Sequence, residues 1–102
     1  MAQFDVFRSS RLGAYPLVLD IQADFHSNLT SRIVVPLVPR ARAPNRPLTR
    51  LTPIMSVRGE EYVLVFPLMA SVPKASLGEI VGSLAAQRAM LIAALDLLIT
   101  GS

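Results

Sequence analysis

The sequence lacks most of the residues and motifs on which catalytic and metal chemistry depends. Its 102 residues include no cysteine and a single histidine, His26. The absence of cysteine excludes a disulfide framework, a thiolate metal site and a cysteine nucleophile. Asp24 lies two positions from His26, but no third ligand clusters with them, so we predict no metal site and no cofactor. The five glycines are scattered and form neither G-x-x-x-x-G-K-[ST] nor G-x-G-x-x-G, which excludes the common nucleotide-binding loops.

A long hydrophobic run is also missing. The longest apolar stretch, near the C-terminus, is interrupted by Asp96 and falls short of the ~20 residues that span a bilayer. The N-terminus, MAQFDVFRSSR, lacks the basic-then-apolar order of a signal peptide. With 52% apolar residues, the chain is predicted to fold rather than to stay disordered. We therefore predict one cytoplasmic domain over residues 1–102.

Acidic residues are absent between Asp24 and Glu60, whereas arginine is frequent there. A surface of one sign attracts partners of the opposite sign, which here means nucleic acid or an acidic polypeptide. No aromatic residue alternates with the arginines, as a platform for single-stranded nucleic acid requires. The alternative is a solvated loop without a partner. The arginines of this interval are Arg32, Arg40, Arg42, Arg46, Arg50 and Arg58.

Short segments with a period of two predict a mainly antiparallel sheet. Residues 3–7 alternate in polarity and predict a short first strand. Residues 15–22 predict a second strand that is buried on one face and solvated on the other. The side chains that share one face of this strand are Leu17, Leu19 and Ile21.

Proline and glycine divide the middle of the chain into further elements. Residues 32–38 predict a third strand, which lies at an edge or bulges at Pro36 because proline cannot donate to a ladder. The proline-rich and arginine-rich residues 39–53 predict a loop. Two apolar segments on either side of Gly59 predict a β-hairpin, whose turn uses the positive φ that glycine allows.

The C-terminal third is predicted to end in one long helix. Residues 68–72 predict a short extended piece, and residues 76–82 predict one or two helical turns. Ser83 is the predicted N-cap of the final helix, and Gly101 is its predicted stop. Because several short strands precede one helix without a βαβ order, the predicted fold class is mainly β (α+β).

The final helix is apolar nearly all round, since Asp96 is the one polar residue between Ala89 and Ile99. A surface helix has an apolar stripe and a polar back, so a helix of this composition needs a cover on both sides. One cover is the protein's own core, and we predict that the other is a second copy of the chain. The predicted dimer contacts are Leu91, Leu95 and Leu98.

Two polar positions leave more than one interpretation open. Asp96 is costly to bury unpaired, so it is either a solvent-facing position or a polar specificity point within a binding surface. His26 with Asp20, Asp24 and nearby arginines supplies the base, acid and cations of a small ribonuclease, or is simply an exposed polar residue. No G-x-S-x-G motif supports a serine triad.

Several segments together resemble the CcdB family, which comprises toxins of bacterial toxin–antitoxin pairs that poison DNA gyrase. The resemblance covers the chain from end to end, and the D-x-Q-x-D and MASVP motifs are its most specific parts. The segments that carry it are QFDVF (3–7), YPLVLDIQADF (15–25), RIVVPL (32–37), MASVP (69–73), LGEIVGSL (77–84) and the closing helix.

The resemblance implies an SH3-like antiparallel barrel with a small wing sheet and a C-terminal helix, assembled as a homodimer without enzymatic activity. It implies that the protein binds the gyrase A subunit and traps the cleaved-DNA complex, with no membrane and no sequence-specific nucleic acid as partner. The gyrase-binding residues carried over are Phe25, His26, Asp96, Ile99, Thr100, Gly101 and Ser102.

The resemblance also implies an antitoxin with an acidic, disordered C-terminal tail. The acid-free segment is then expected to attract this tail through its positive charge, because opposite charges accelerate association. The residues expected to make this contact are Arg40, Arg42 and Arg46.

The C-terminus departs from the best-known family pattern, which ends in tryptophan, glycine and isoleucine. Here the corresponding residues are Thr100, Gly101 and Ser102. Threonine cannot make the cation–π contact of a tryptophan, which contributes ~0.5–2 kcal/mol. Other members resemble this chain in having Ile-Thr-Gly there. Two alternatives therefore stay open: an endoribonuclease of the related MazF type, which shares the fold, and a non-toxic dimeric homologue that binds an antitoxin.

Overall fold

Seven strands and one C-terminal helix form the part of the chain that the structure, a computed structural model, describes: residues 2–9, 15–23, 30–43 and 49–101. The strands are β1 (Asp5–Ser9), β2 (Leu17–Asp20), β3 (Ser31–Pro39), β4 (Ile54–Val57), β5 (Glu60–Leu64), β6 (Ala70–Pro73) and β7 (Leu77–Ser83). Helix α1 spans Arg88–Thr100. Short 3-10 turns lie at Arg40–Arg42, Phe66–Leu68, Lys74–Ser76 and Ala85–Gln87.

The strands pair antiparallel in the order β4-β5-β3-β2-β1-β7, and β6 also pairs with β3. Two strands, β6 and β5, pair with the same edge of the long strand β3. Its first half pairs with β6, where Val34 lies opposite Ala70, and its second half pairs with β5, where Leu37 lies opposite Leu64. Strands β4 and β5 thus form a small wing. The predicted mainly β fold, an SH3-like curled antiparallel sheet with a wing and a C-terminal helix, is confirmed.

Both faces of the sheet bury apolar side chains. Helix α1 covers the larger core, into which Leu91 and Ala94 pack. A smaller cluster on other strand positions contains Phe7, Val18, Val34 and Val72. Every residue of β2 is buried as a result, so the prediction of a strand with one solvated face was wrong.

Pro36 lies in the interior of the sheet, because β3 has neighbours on both sides. Its carbonyl accepts the backbone N–H of Val65 at 3.0 Å, just beyond the end of β5. In an antiparallel strand, the N–H and C=O of one residue point to the same side. Pro36 therefore lacks its N–H on the side of the gap between β5 and β6, where no strand needs it. Both predicted alternatives, an edge position and a bulge, were wrong, because β3 pairs with its neighbours without a register shift at Pro36. The proline does lie where a ladder donor is not needed.

The segment predicted as helical at 76–82 is strand β7. It pairs with β1, with Phe7 opposite Ile80, and the register shifts twice along this pairing. Gly78 is suited to the close approach of the two strands, because a Cβ there would lie 3.1 Å from the carbonyl oxygen of Arg8. Pairing with a strand some seventy positions away therefore overrides the local pattern.

Local turn signals were more reliable. Arg58 and Gly59 have φ of 52° and 81°, and this pair of positive angles forms the two-residue turn of the predicted β4–β5 hairpin. Gly101, with φ of 79°, ends α1 as predicted, and its N–H donates to the Leu97 carbonyl at 3.1 Å. The prediction of Ser83 as the N-cap of this helix was wrong, because α1 begins after Gln87. The Ser83 Oγ instead accepts the Ala85 N–H at 3.2 Å, at the start of the 3-10 turn that precedes α1.

A buried ion pair joins β2 to β3. The Nε and Nη2 atoms of Arg32 donate to Oδ2 of Asp20 at 3.0 and 2.7 Å, and both side chains are fully buried. Gln22 completes the network, because its carbonyl accepts Arg32 Nη2 at 3.0 Å and its N–H donates to Asp20 Oδ1 at 3.0 Å. Among the residues that the structure describes, Nη1 of Arg32 has no hydrogen-bond partner.

Replacing Arg32 with methionine is expected to lower the free energy of unfolding by about 3–5 kcal/mol, because Asp20 is left charged and unpaired in the interior. The double variant Asp20→Leu/Arg32→Met should recover most of this loss, since no unpaired charge remains. Urea unfolding followed by circular dichroism measures both. A single variant as stable as the wild type would contradict the structural role of the pair.

Candidate functional site

Helix α1 has one buried face and one outward face. Leu91 is fully buried in the core of its own chain, so it has no surface to offer to a second copy, and its predicted dimer contact was wrong. Leu95 and Leu98 also pack against this core but remain partly exposed. Four exposed positions of the helix carry small or polar side chains, so its outward face is not uniformly apolar. They are Ala89, Ala93, Asp96 and Thr100.

Two large apolar side chains remain exposed on the flanks of α1. Met90 is 53% exposed and Ile99 is 69% exposed. Helical residues rotate by roughly 100° each, so two residues nine positions apart lie on opposite flanks. The flank of Ile99 reaches the C-terminal end of the helix, whereas the flank of Met90 faces the wing. The helix therefore presents two separate apolar surfaces.

The predicted gyrase-binding residues that the structure describes lie together at the C-terminal end of α1. Asp96 is exposed, which is compatible both with a solvent-facing position and with a polar specificity point within a binding surface. Thr100 donates its hydroxyl to the Asp96 carbonyl at 2.7 Å, which holds the last turn closed before Gly101. The other predicted members of this site, Phe25, His26 and Ser102, lie outside the described residues.

The acid-free interval of the sequence is not acid-free in space. Arg40 and Arg42 belong to the 3-10 turn after β3, and Nη1 of Arg40 lies 3.4 Å from Oε1 of Glu61 on β5. An open depression of about 600 Å³ separates this turn from the hairpin tip, and Glu60 and Glu61 line it. The two glutamates thus offset part of the positive charge that the sequence predicts for this segment. Arg46, the third predicted antitoxin contact, lies outside the described ranges.

Tyr62 lies next to this depression. Burial and the carboxylate of Glu60 raise the pKa of Tyr62, and its hydroxyl donates to Glu60 Oε1 at 3.4 Å. Arg42 and Arg8 act in the opposite direction. On the neighbouring surface, Arg8 pairs with Glu79 at 2.5 Å, and this hydrogen bond lowers the pKa of the Glu79 carboxyl. The surface is a mixed-charge network rather than a uniform basic patch.

The described residues do not assemble the acid–base set of a ribonuclease. Asp20, one of the three candidates, is fully buried and bound to Arg32, so its carboxylate cannot reach a substrate. The other two, Asp24 and His26, lie outside the described residues. Within the ranges that the structure covers, no group of three His, Cys, Asp or Glu side chains is placed to hold a metal ion. None of the helices there is long and apolar enough to cross a membrane.

Sequence reasoning missed the residues that join elements across the fold. Arg58 donates from Nε to the Val81 carbonyl at 2.7 Å and so connects the hairpin turn to β7. Gln22 belongs to the D-x-Q-x-D motif, and its structural role was not predicted: its side-chain oxygen accepts the Ile33 N–H at 3.1 Å. The D-x-Q spacing could have indicated this, because two residues at i and i+2 lie on the same side of a strand. No local signal indicated the partner of Arg58.

The fold and its exposed surfaces define a small curled antiparallel sheet covered by one helix, with a helix end and a wing as its accessible features. The family model described as CcdB protein matches residues 3–101, nearly the whole chain. The chain therefore belongs to the CcdB family, a family of toxins of toxin–antitoxin systems.

A solved structure shares this fold. It is described as an endoribonuclease in complex with its cognate antitoxin from Mycobacterial species. The TM-score is 0.74 and the sequence identity 18%, over 94% of this chain and 91% of that chain. At this identity the similarity establishes the fold and no shared activity.

The titration of Tyr62 tests the geometry of the wing. Replacing Glu60 with glutamine should lower the pKa of Tyr62, because a negative charge and its hydrogen bond no longer oppose formation of the phenolate. Ultraviolet absorbance during an alkaline titration measures this, with Tyr62→Phe identifying the signal against Tyr15. An unchanged midpoint in the Glu60→Gln variant would contradict the contact.

Proposed function

We propose that this protein is a cytoplasmic, homodimeric toxin that binds the gyrase A subunit and traps the complex in which DNA is cleaved, without being an enzyme itself. Membership of the CcdB family over residues 3–101 carries the proposal. A cognate antitoxin neutralises the toxin. The existence of such a partner is also supported by the similar fold that was solved in complex with an antitoxin.

The C-terminal end of α1 is the proposed gyrase-binding surface. Ile99 is 69% exposed, and Thr100 and Gly101 are exposed beyond it. An exposed apolar side chain at a helix end is a suitable anchor for a protein partner, because its burial on binding removes apolar surface from water. Little of the monomer core depends on these residues.

Removal of residues 99–102 is expected to abolish inhibition of gyrase while leaving the fold intact. A supercoiling and DNA-cleavage assay with purified gyrase measures inhibition, and thermal unfolding checks the fold. The matched control is Ile80→Ser, since Ile80 is 52% exposed on β7 and distant in sequence from the helix end. Thr100→Trp should strengthen inhibition, because it restores a ring for cation–π contact.

Other outcomes of this assay would favour the alternatives. If the truncated protein still arrests gyrase and His26→Ala does not, the poison model fails. Specific RNA cleavage by the intact protein in the presence of EDTA would favour an endoribonuclease, to which the fold similarity lends support. An intact protein that binds antitoxin but leaves both gyrase and RNA unchanged would be a non-toxic homologue.

The proposed homodimer uses the partly exposed side of α1, with Leu95 and Leu98 as contacts. Both side chains retain exposed apolar surface after packing on their own core. A second copy that covers this surface removes it from water and stabilises the pair. Leu91 is not part of this interface, since it is fully buried in the monomer.

Sedimentation at micromolar concentration should give twice the mass of one chain. Leu95→Glu is expected to dissociate the dimer, because a charge buried without a partner costs several kcal/mol. Ala89→Glu is the matched control, since it adds the same charge on the outward face of the same helix. A wild-type protein that sediments as a monomer would exclude the dimer.

A further inference from the structure

The outer edge of β4 offers unpaired backbone groups. The Leu64 N–H donates to the Pro53 carbonyl at 2.9 Å, and Ile54 lies opposite Val63 in the next pair. Hydrogen-bonded and non-bonded pairs alternate along antiparallel strands. The N–H and C=O of Ile54 and Ser56 therefore point away from β5. Within the part of the chain that the structure describes, no other strand is paired with this edge.

This edge opens into a groove that follows helix α1. A cavity of about 260 Å³ lies between β4 and the start of the helix, with Ser56 on one side and Met90 on the other. A second cavity of about 250 Å³ continues past Met90 to Leu97 and Arg50. The groove as a whole is lined mainly by apolar side chains: Pro53, Ile54, Met55, Leu84, Met90, Ala93, Ala94 and Leu97.

Among the residues that the structure describes, Arg50 is the one charged residue in the lining of this groove. It is exposed, and it forms no hydrogen bond or ion pair with the residues that the structure describes. The turn that carries it is fixed, because Thr49 N–H donates to Thr52 Oγ1 at 2.8 Å and Thr52 N–H donates to Thr49 O at 3.0 Å. The groove therefore has a positive end at a defined position.

The opposite end of the groove is closed. Arg58 bridges from the hairpin turn to the Val81 carbonyl at 2.7 Å, and Val57 Cγ1 lies 3.5 Å from where a Cβ of Gly82 would stand. An added strand must therefore lie beside the first part of β4 and leave toward Arg50. A strand that runs antiparallel to β4 brings its C-terminal end to Arg50.

We propose that this groove binds an extended acidic peptide, which adds to β4 as an antiparallel strand, inserts an apolar side chain beside Met90 and places its acidic C-terminal end at Arg50. The free backbone groups of Ile54 and Ser56 supply hydrogen bonds, as in other cases of strand addition to a sheet edge. The positive charge of Arg50, with no acid among the described lining residues, favours an acidic peptide over a basic or neutral one. Identification of this peptide as the antitoxin tail rests on the proposed function.

The surface differs from the one predicted from sequence. Arg40 is already paired with Glu61, and Glu60 lies beside it, so that part of the wing attracts an acidic chain less than the groove does. Arg50 has no acidic neighbour among the described residues that line the groove. The apolar cavity beside Arg50 also gives a side chain a place to be buried, which the open depression at Arg40 lacks.

Ser56→Pro is the decisive variant. The backbone N–H of Ser56 faces away from β5. Proline at this position therefore removes a hydrogen-bond donor from the groove, while the β4–β5 ladder keeps its hydrogen bonds. Ser56→Ala is the matched control, because it retains the N–H. The probe is a short fluorescent peptide in which valine and threonine alternate and the C-terminal end carries glutamates, and binding to the full chain is measured by anisotropy.

The expected result is a loss of affinity of at least about tenfold for Ser56→Pro and for Arg50→Glu, with Ser56→Ala unchanged. Arg40→Glu serves as the charge control and should retain binding within about threefold, since a rim charge mainly affects association rate. In the wild type, NMR amide shifts on peptide addition should concentrate at Ile54 and Ser56. Thermal unfolding confirms that each variant is folded.

Several outcomes would overturn the inference: no binding of the probe, equal binding by Ser56→Pro, or loss of binding in Arg40→Glu but not in Arg50→Glu. A probe whose glutamates are replaced by glutamine and that binds equally well would also overturn it. These results are independent of the gyrase assay. A protein that arrests gyrase but does not bind the probe overturns this inference alone, and one that binds the probe at β4 but leaves gyrase active overturns the gyrase proposal alone.

Discussion

The buried pair of Asp20 and Arg32 is the interaction on which the rest of the sheet depends. It fixes the end of β2 against the start of β3, and the Asp20 carbonyl also accepts the Phe4 N–H at 2.6 Å. Phe4 in turn accepts the Leu84 N–H at 2.8 Å, immediately before the turn that leads into α1. A continuous path of hydrogen bonds thus runs from β3 to the start of the helix. Removing one charge from this path affects the placement of both the sheet and the helix.

A fold held in this way keeps its interior and its interaction surfaces separate. Leu91 and Ala94 belong to the interior, whereas Ile99 and Met90 are exposed on opposite flanks of the same helix. The proposed gyrase contact lies at the helix end, and the proposed peptide groove lies on the Met90 flank beside β4. Because the two surfaces share a helix but no side chains, each can change in sequence without destabilising the other.

The elements that could be predicted from the sequence are those whose signals are local. The turn at Arg58 and Gly59, and the helix stop at Gly101, each follow from the conformations that a few adjacent residues allow. The local pattern predicts helical turns where strand β7 lies, because the partner β1 is at the other end of the chain and has no effect on that pattern. The same limit applies to the site. Arg40 looked like part of an acid-free surface, since nothing in the sequence places Glu61 beside it. The burial of Leu91 likewise depends on how the helix is rotated over the sheet.

At the junction between β4 and β7, Arg58 donates a side-chain hydrogen bond to the Val81 carbonyl, and Val57 lies where a Cβ at Gly82 would meet it. No backbone register links the two strands. An inserted or deleted residue in the turn at Arg58 and Gly59 can therefore leave the pairing of β5 with β3 in register, because no ladder on the other side of β4 has to follow the change. Pairings inside the sheet have no such tolerance, since a slip of one residue there turns every side chain to the opposite face. Within the part of the chain that the structure describes, this turn is consequently a place where the length of the chain can change without a slip in the sheet.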